Sequence, residues 1–131
     1  DGLFASMLNN YPEFLSELEG IYVTDFFGAS DRIHSLAPFG RKISKTFRSL
    51  YTSDPFSYTG LGAEGYGILY AAMNKCADPT NRKCINSMIR STKGFAGIIG
   101  KISIGLDGKA TRPLVIGKVQ DSELKTVVRV H

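Results

Sequence analysis

The sequence predicts an α/β chain, and three observations predict it. Residues 20–28 run Gly-Ile-Tyr-Val-Thr-Asp-Phe-Phe-Gly, a β-branched and aromatic stretch between two glycines, which is a strand pattern. Phe39, Ile43, Phe47 and Leu50 then recur at spacings of 4, 4 and 3, one face of a helix. After Gly100 the period falls to two, with Ile102 and Ile104 alternating with Ser103 and Gly105.

Each element follows in order. Leu3, Phe4, Met7 and Leu8 have helical spacing within 2–10, and a short helical turn over Pro12 to Leu18 tolerates proline in its first turn. Residues 20–27 form a buried strand, and Gly28 to Ser35 a loop. A helix begins near Pro38 and ends near Tyr51, broken by Thr52-Ser53-Asp54-Pro55. A longer one covers Tyr58 to Lys75 and is apolar nearly all round, so it is expected to pack on several sides. Its glycines Gly60, Gly62, Gly65 and Gly67 make sense where another backbone comes close. Asp78-Pro79 suits a helix start, the acid as N-cap, with Ile85, Met88 and Ile89 as the apolar stripe. Asp107-Gly108 marks a turn, and Leu114 to Val119 and Thr126 to Val130 are further strands. There is no internal repeat and no low-complexity segment.

A chain of 131 residues, 43% of them apolar, is the size of one compact domain with material for a core. Apolar runs such as Gly94 to Gly100 are too short to span a bilayer. The net charge of +4 is modest and its cations are scattered, which argues against nucleic acid as a partner. Arg41, Lys42, Lys45 and Arg48 form a basic stripe, read most simply as the solvated face opposite Phe39, Ile43 and Phe47. The chain opens Asp1-Gly2-Leu3, without an initiator Met or the basic and apolar regions of a signal peptide. Either a processed segment has been removed or the chain is a piece of something longer.

Cys76 and Cys84 are too far apart for a CxxC redox or zinc motif, and no second pair completes a metal site. A local disulfide across a proline-containing turn is their simplest use, the alternative being two unrelated thiols. Such a bond contributes ~2–3 kcal/mol and places the protein outside the reducing cytosol.

Gly60-Leu61-Gly62-Ala63-Glu64-Gly65 matches the dinucleotide-binding GxGxxG, which needs a buried strand immediately before it. Ser53 to Tyr58 is a poor strand, and no acid follows a second strand at the required distance, so the match carries no cofactor. His34 and His131 lie far apart and near no nucleophile. Glu17, Glu19 and Glu64 read as surface or capping acids. No catalytic constellation emerges, and the chain is expected not to be an enzyme.

Several strings, in this order, resemble the C-terminal portion of the type I periplasmic solute-binding proteins, closest to their leucine/isoleucine/valine-binding branch. Glu19-Gly20-Ile21-Tyr22-Val23-Thr24 is similar to that family's strand. Pro55-Phe56-Ser57-Tyr58, running into Gly62 to Met73, is similar to its helix. Residues 95–109 (Phe-Ala-Gly-Ile-Ile-Gly-Lys-Ile-Ser-Ile-Gly-Leu-Asp-Gly-Lys) resemble its glycine-punctuated stretch, and Leu114 to Val119 with Thr126 to Val128 fall where the family ends.

The resemblance implies part of a bilobed α/β fold, helices packed on mainly parallel sheets with a hairpin at the C-terminus, whose lobes close on a ligand about three connecting strands. Two crossings fall near Asp25 to Gly28 and near Val115 to Lys118. Residues 1–28 then belong to one lobe and a hinge crossing, 29–114 to the other lobe, and 115–131 to the second crossing and the terminal strands of the first lobe. It implies an extracytoplasmic or periplasmic receptor that captures an amino acid, branched-chain or similar, for the membrane permease of an ABC transporter, with an N-terminal part missing here. Asp1 looks like the acid that binds the ligand's α-ammonium. Tyr58 looks like the aromatic that covers the ligand's side chain; on its own pattern it is equally a core tyrosine starting a helix. A ligand-sensing domain of the same fold, and a small α/β interaction domain with no ligand, are the alternatives.

Overall fold

The computed structural model describes residues 11–25, 36–52, 55 and 57–130. The segment 2–10, the loop from Gly28 to Ser35, and both Asp1 and the two histidines lie outside the described residues. The chain passes from a 3-10 turn (Pro12–Phe14) into β1 (Tyr22–Asp25), then α1 (Pro38–Tyr51), α2 (Ser57–Met73) and α3 (Arg82–Arg90). It continues through β2 (Phe95–Ala96), β3 (Lys101–Ile104), β4 (Ala110–Thr111), β5 (Leu114–Gln120) and β6 (Glu123–Val130). The strands form two three-stranded sheets, β1-β5-β6 and β2-β3-β4.

Every described pairing is antiparallel, which corrects the expectation of mainly parallel sheets. The reason is the path of the chain. It leaves the first sheet along β1, builds three helices and the second sheet, and returns along β5. An outgoing and a returning strand lying side by side must run in opposite directions. β6 then follows β5 through a two-residue hairpin.

Helix α1 begins at Pro38, whose missing N–H costs nothing at that position, and ends at Thr52 in a left-handed conformation (φ 51°). Its expected stripe is half right. Phe39, Ile43 and Phe47 are half-buried, but Leu50 is 67% exposed, and the most buried positions are Gly40 and Ser44. The helix lies so close to the Ile98 backbone that a glycine must face it.

Helix α2 spans the expected residues within two positions, and the GxGxxG letters fall inside it, where no phosphate-binding turn exists. Among the described residues only one side of it is covered. Tyr58, Tyr66, Leu69 and Tyr70 are exposed, Tyr66 at 70%, so the expected packing on several sides is corrected. The glycine expectation also changes. Gly62 and Gly65 face open space, while Gly67 makes room for the Phe95 ring rather than for another backbone.

The disulfide between Cys76 and Cys84 is present and joins the end of α2 to the start of α3. Asp78 does not cap α3. Its carboxylate accepts from the Thr80 N–H and hydroxyl (2.8 and 2.7 Å), which folds it into a local turn and holds its pKa below the ordinary value. Asn81 takes the cap instead, accepting from the N–H groups of Lys83 and Cys84 at 3.1 Å.

The β5–β6 hairpin turns on Asp121 and Ser122, both with positive φ (56° and 57°), as a two-residue turn of the I′ type requires. The Glu19 carboxylate reaches across to both N–H groups, at 3.3 and 3.4 Å, so its capping role is realised. Lys125 donates to Asp121 at 2.6 Å, which lowers the Asp121 pKa from 3.8 and raises that of Lys125 from 10.5. The sign follows from linkage. The contribution of Asp121 is present above 3.8 and is lost as pH falls through its lower folded value; that of Lys125 is present below 10.5 and is lost as pH rises through its higher one. Both groups are at the surface, so the effect is local. Amide-exchange protection at 121–124 is expected to fall on acidification in the native chain, and an Asp121→Asn variant is expected to show no such step. A step of equal size in the variant would assign it elsewhere.

Two apolar clusters result. Leu15, Val23, Val119 and Leu124, with Leu18, pack on one side. Leu36, Ile98, Ile99 and Val115, with Phe39, form the other. Strand β5 supplies Val119 to the first and Val115 to the second, so one strand links two cores.

Candidate functional site

The functional question therefore centres on where β1 and β5 pass between the two cores. They pair from Tyr22↔Lys118 to Asp25↔Val115. Tyr22 and Thr24 face out while Val23 and Asp25 face in, so the alternation that buries Val23 also buries Asp25, which is 3% exposed. A buried carboxylate requires partners. Ser57, the first residue of α2, donates its hydroxyl to Asp25 at 2.8 Å. The end of β1 is thereby fastened to the first turn of the long helix.

A second polar contact sits about two turns further along α2. Glu64 is 3% exposed, accepts the Ile98 N–H through Oε1 at 2.7 Å, and pairs through Oε2 with Arg112 at 2.9 Å. The Arg112 contact is an ion pair rather than an aligned hydrogen bond. Arg112 immediately precedes Pro113 and β5, so this contact fastens α2 to the start of β5. The expectation that Glu64 is a surface or capping acid is corrected. The Glu64 carboxylate reaches Ile98 across Gly97, where a Cβ would lie 2.5 Å from Oε1.

Of the residues picked from sequence, Tyr58 follows Ser57 at the start of α2 and is 57% exposed in this chain. Asp1 lies outside the described residues, so the two are not brought together here. Sequence reasoning missed Asp25, Ser57, Glu64 and Arg112. For Asp25 the signal was present, since it shares the parity of Val23. For Glu64 and Arg112, 48 positions apart, no local signal exists.

The arrangement holds strands and helix together. Among the described residues no three of His, Cys, Asp or Glu cluster as metal ligands, and no helix is long and apolar enough to cross a membrane. A cavity of about 100 Å³ between α2, α3 and β2, lined by Ile68, Ala72, Met88 and Phe95, is small beside the several hundred Å³ typical of ligand sites.

No protein-family model and no curated protein matches this chain. Solved structures do. A leucine-binding protein of Thermotoga maritima superposes with a TM-score of 0.73 at 22% identity, over 91% of this chain and 34% of that one. An ABC transporter substrate-binding protein of Desulfitobacterium hafniense, in complex with Leu, gives 0.73 at 21% identity, over 86% and 32%. A solute-binding protein of an ABC transporter from R. palustris, in complex with benzoate, gives 0.66 at 15%, over 88% and 32%. What the chain shares with them is a fold, that of one portion of an ABC-transporter solute-binding protein. Within that class the likeness extends to the branched-chain amino-acid-binding proteins, and the chain spans about a third of the length of the structures it matches.

Proposed function

We propose that this chain is part of the extracytoplasmic solute-binding component of an ABC transporter, which captures an amino acid, branched-chain or similar, by closure of two lobes. The observation that carries the reading is the antiparallel β1–β5 pair linking two separate apolar cores. In this reading residues 1–28 and 115–131 contribute to one lobe and the crossings, and 29–114 to the other. A ligand touching both lobes binds the closed form better and shifts the population towards it. The membrane permease then recognises the closed shape.

Further support comes from surfaces that the chain leaves bare. Tyr22, Val128 and Val130 are exposed on one sheet, and the tyrosine stripe of α2 is exposed as well. Sheets and apolar helices of an α/β protein are covered by further layers. An upstream portion of the same polypeptide would supply those layers and the groups that hold the ligand's carboxylate. Asp1 then takes the α-ammonium and Tyr58 covers the side chain. The Cys76–Cys84 disulfide agrees with an oxidising compartment such as the periplasm.

The test is titration calorimetry with leucine and, separately, benzoate, which the third neighbour holds. The 131-residue chain alone is expected to bind either no tighter than about millimolar, and the chain joined to its upstream portion at about micromolar or better for leucine. In the longer protein Asp1→Asn should weaken leucine and leave benzoate, which has no ammonium group, unchanged. Micromolar binding by the isolated chain would contradict the two-part reading.

A further inference from the structure

Helix α3 is held at its two ends by different means. It has 9 residues, fewer than the roughly 12–15 that an isolated helix needs in water. It buries no residue fully, and Ile85, Met88 and Ile89 are only half-buried. A cavity of about 100 Å³, partly open to solvent, lies beside Met88.

Past its C-terminus the chain is tied to β3. The Ile104 N–H donates to the Thr92 carbonyl at 2.9 Å, and Lys93 donates to the Ile104 carbonyl at 3.2 Å. The Gly94 N–H donates to the Ser103 hydroxyl at 3.0 Å, and the Arg90 guanidinium donates to the Leu106 carbonyl. At its N-terminus, by contrast, the hydrogen bonds among the described residues are local. Asn81 serves Lys83 and Cys84, and Asp78 serves Thr80. The tie from this end to α2 is the covalent bond to Cys76.

We infer that the Cys76–Cys84 disulfide is a latch on the N-terminal half of α3, and that a dithiol reductant releases that half from α2 while the rest of the fold stays closed. A thiolate of the reductant attacks the Cys84 sulfur, since Cys84 is half-buried and Cys76 buried. A mixed disulfide forms and the Cys76 thiolate leaves, taking a proton from solvent. The second thiol of the reductant then attacks the mixed disulfide and releases Cys84. Two electrons and two protons pass to the protein, and the reductant departs as its cyclic disulfide. Helix α3 is then free to separate from α2, which it packs against, swinging on the Thr92–Ile104 tie.

Hydrogen exchange on the 131-residue chain, with and without dithiothreitol near neutral pH, is the experiment. The amides of Ile85 to Ile89 are expected to exchange at least about tenfold faster after reduction, while those of 41–51 and 115–119 keep their rates. A Cys76→Ser/Cys84→Ser variant should match the reduced chain without reductant; should it fail to fold, the reduced native chain carries the comparison alone. Unchanged rates at 85–89 in a chain shown by thiol titration to be reduced would overturn the latch. So would faster exchange across α1 and β5 together, because the disulfide would then support the whole fold.

Discussion

Replacing Glu64 with alanine is expected to lower stability by about 3 kcal/mol, a fall in Tm of about 10 °C or more. Two losses combine. Arg112, 14% exposed, is left with its guanidinium facing the site of a removed charge, and the buried Ile98 N–H loses its acceptor. The figure sits at the low end for a broken buried pair because Arg112 keeps some access to water. Glu64→Gln separates the terms, since its amide oxygen can still accept from Ile98 while the charge is gone. Its cost should be roughly half as large. Adding Arg112→Met to the glutamine variant should recover part of that cost, because a buried ion pair replaced as a pair is far less damaging than one broken. Thermal melts of the native chain, Glu64→Gln, Arg112→Met and the double variant close the cycle. A Glu64→Ala protein that melts with the native chain would show that the ion pair and the Ile98 bond contribute nothing net.

The same contact explains where reading the sequence stopped. Helix α1 was legible to its last residue, because Pro38, the stripe of Phe39, Ile43 and Phe47, and the breaker after Tyr51 are all local signals. The Asp107-Gly108 turn and β5 were legible for the same reason, whereas β4 was not read and β6 starts three residues before the expected Thr126. Local chemistry also misled. Asp78-Pro79 offers a better cap pattern than Asn81, yet the Thr80 turn consumes the Asp78 carboxylate first. The sense of the sheets and the partners of Glu64 depend on residues far apart in the chain, which no window of sequence contains. Helix α2 is a different case. Its all-round apolar pattern led to the expectation of packing on several sides, yet Tyr66 and Tyr70 stack on each other in the open.

Glycine-to-alanine changes within the helices should therefore divide by sign. Alanine is the better helix former by about 1 kcal/mol, and at Gly62 or Gly65, where an added Cβ meets nothing within 4 Å, that gain should appear almost whole. Each variant should melt a few degrees higher. At Gly40 the same Cβ would lie 2.7 Å from the Ile98 carbonyl oxygen and 2.9 Å from its Cγ2. The carbonyl cannot simply recede, because the Ala37 N–H holds it at 2.8 Å. Overpacking of this kind costs about 1–3 kcal/mol, enough to outweigh the propensity gain, so Gly40→Ala should melt several degrees lower. Equal shifts at all three positions would mean that propensity alone decides. The comparison also reaches the proposed function. Gly62 and Gly65 lie on the α2 face that carries Tyr58, Tyr66 and Leu69, and an upstream portion packed against that face would fill the space now open beside them. In the longer protein Gly62→Ala should then lose its benefit or turn destabilising, while Gly40→Ala, whose obstacle lies inside this chain, should keep its sign.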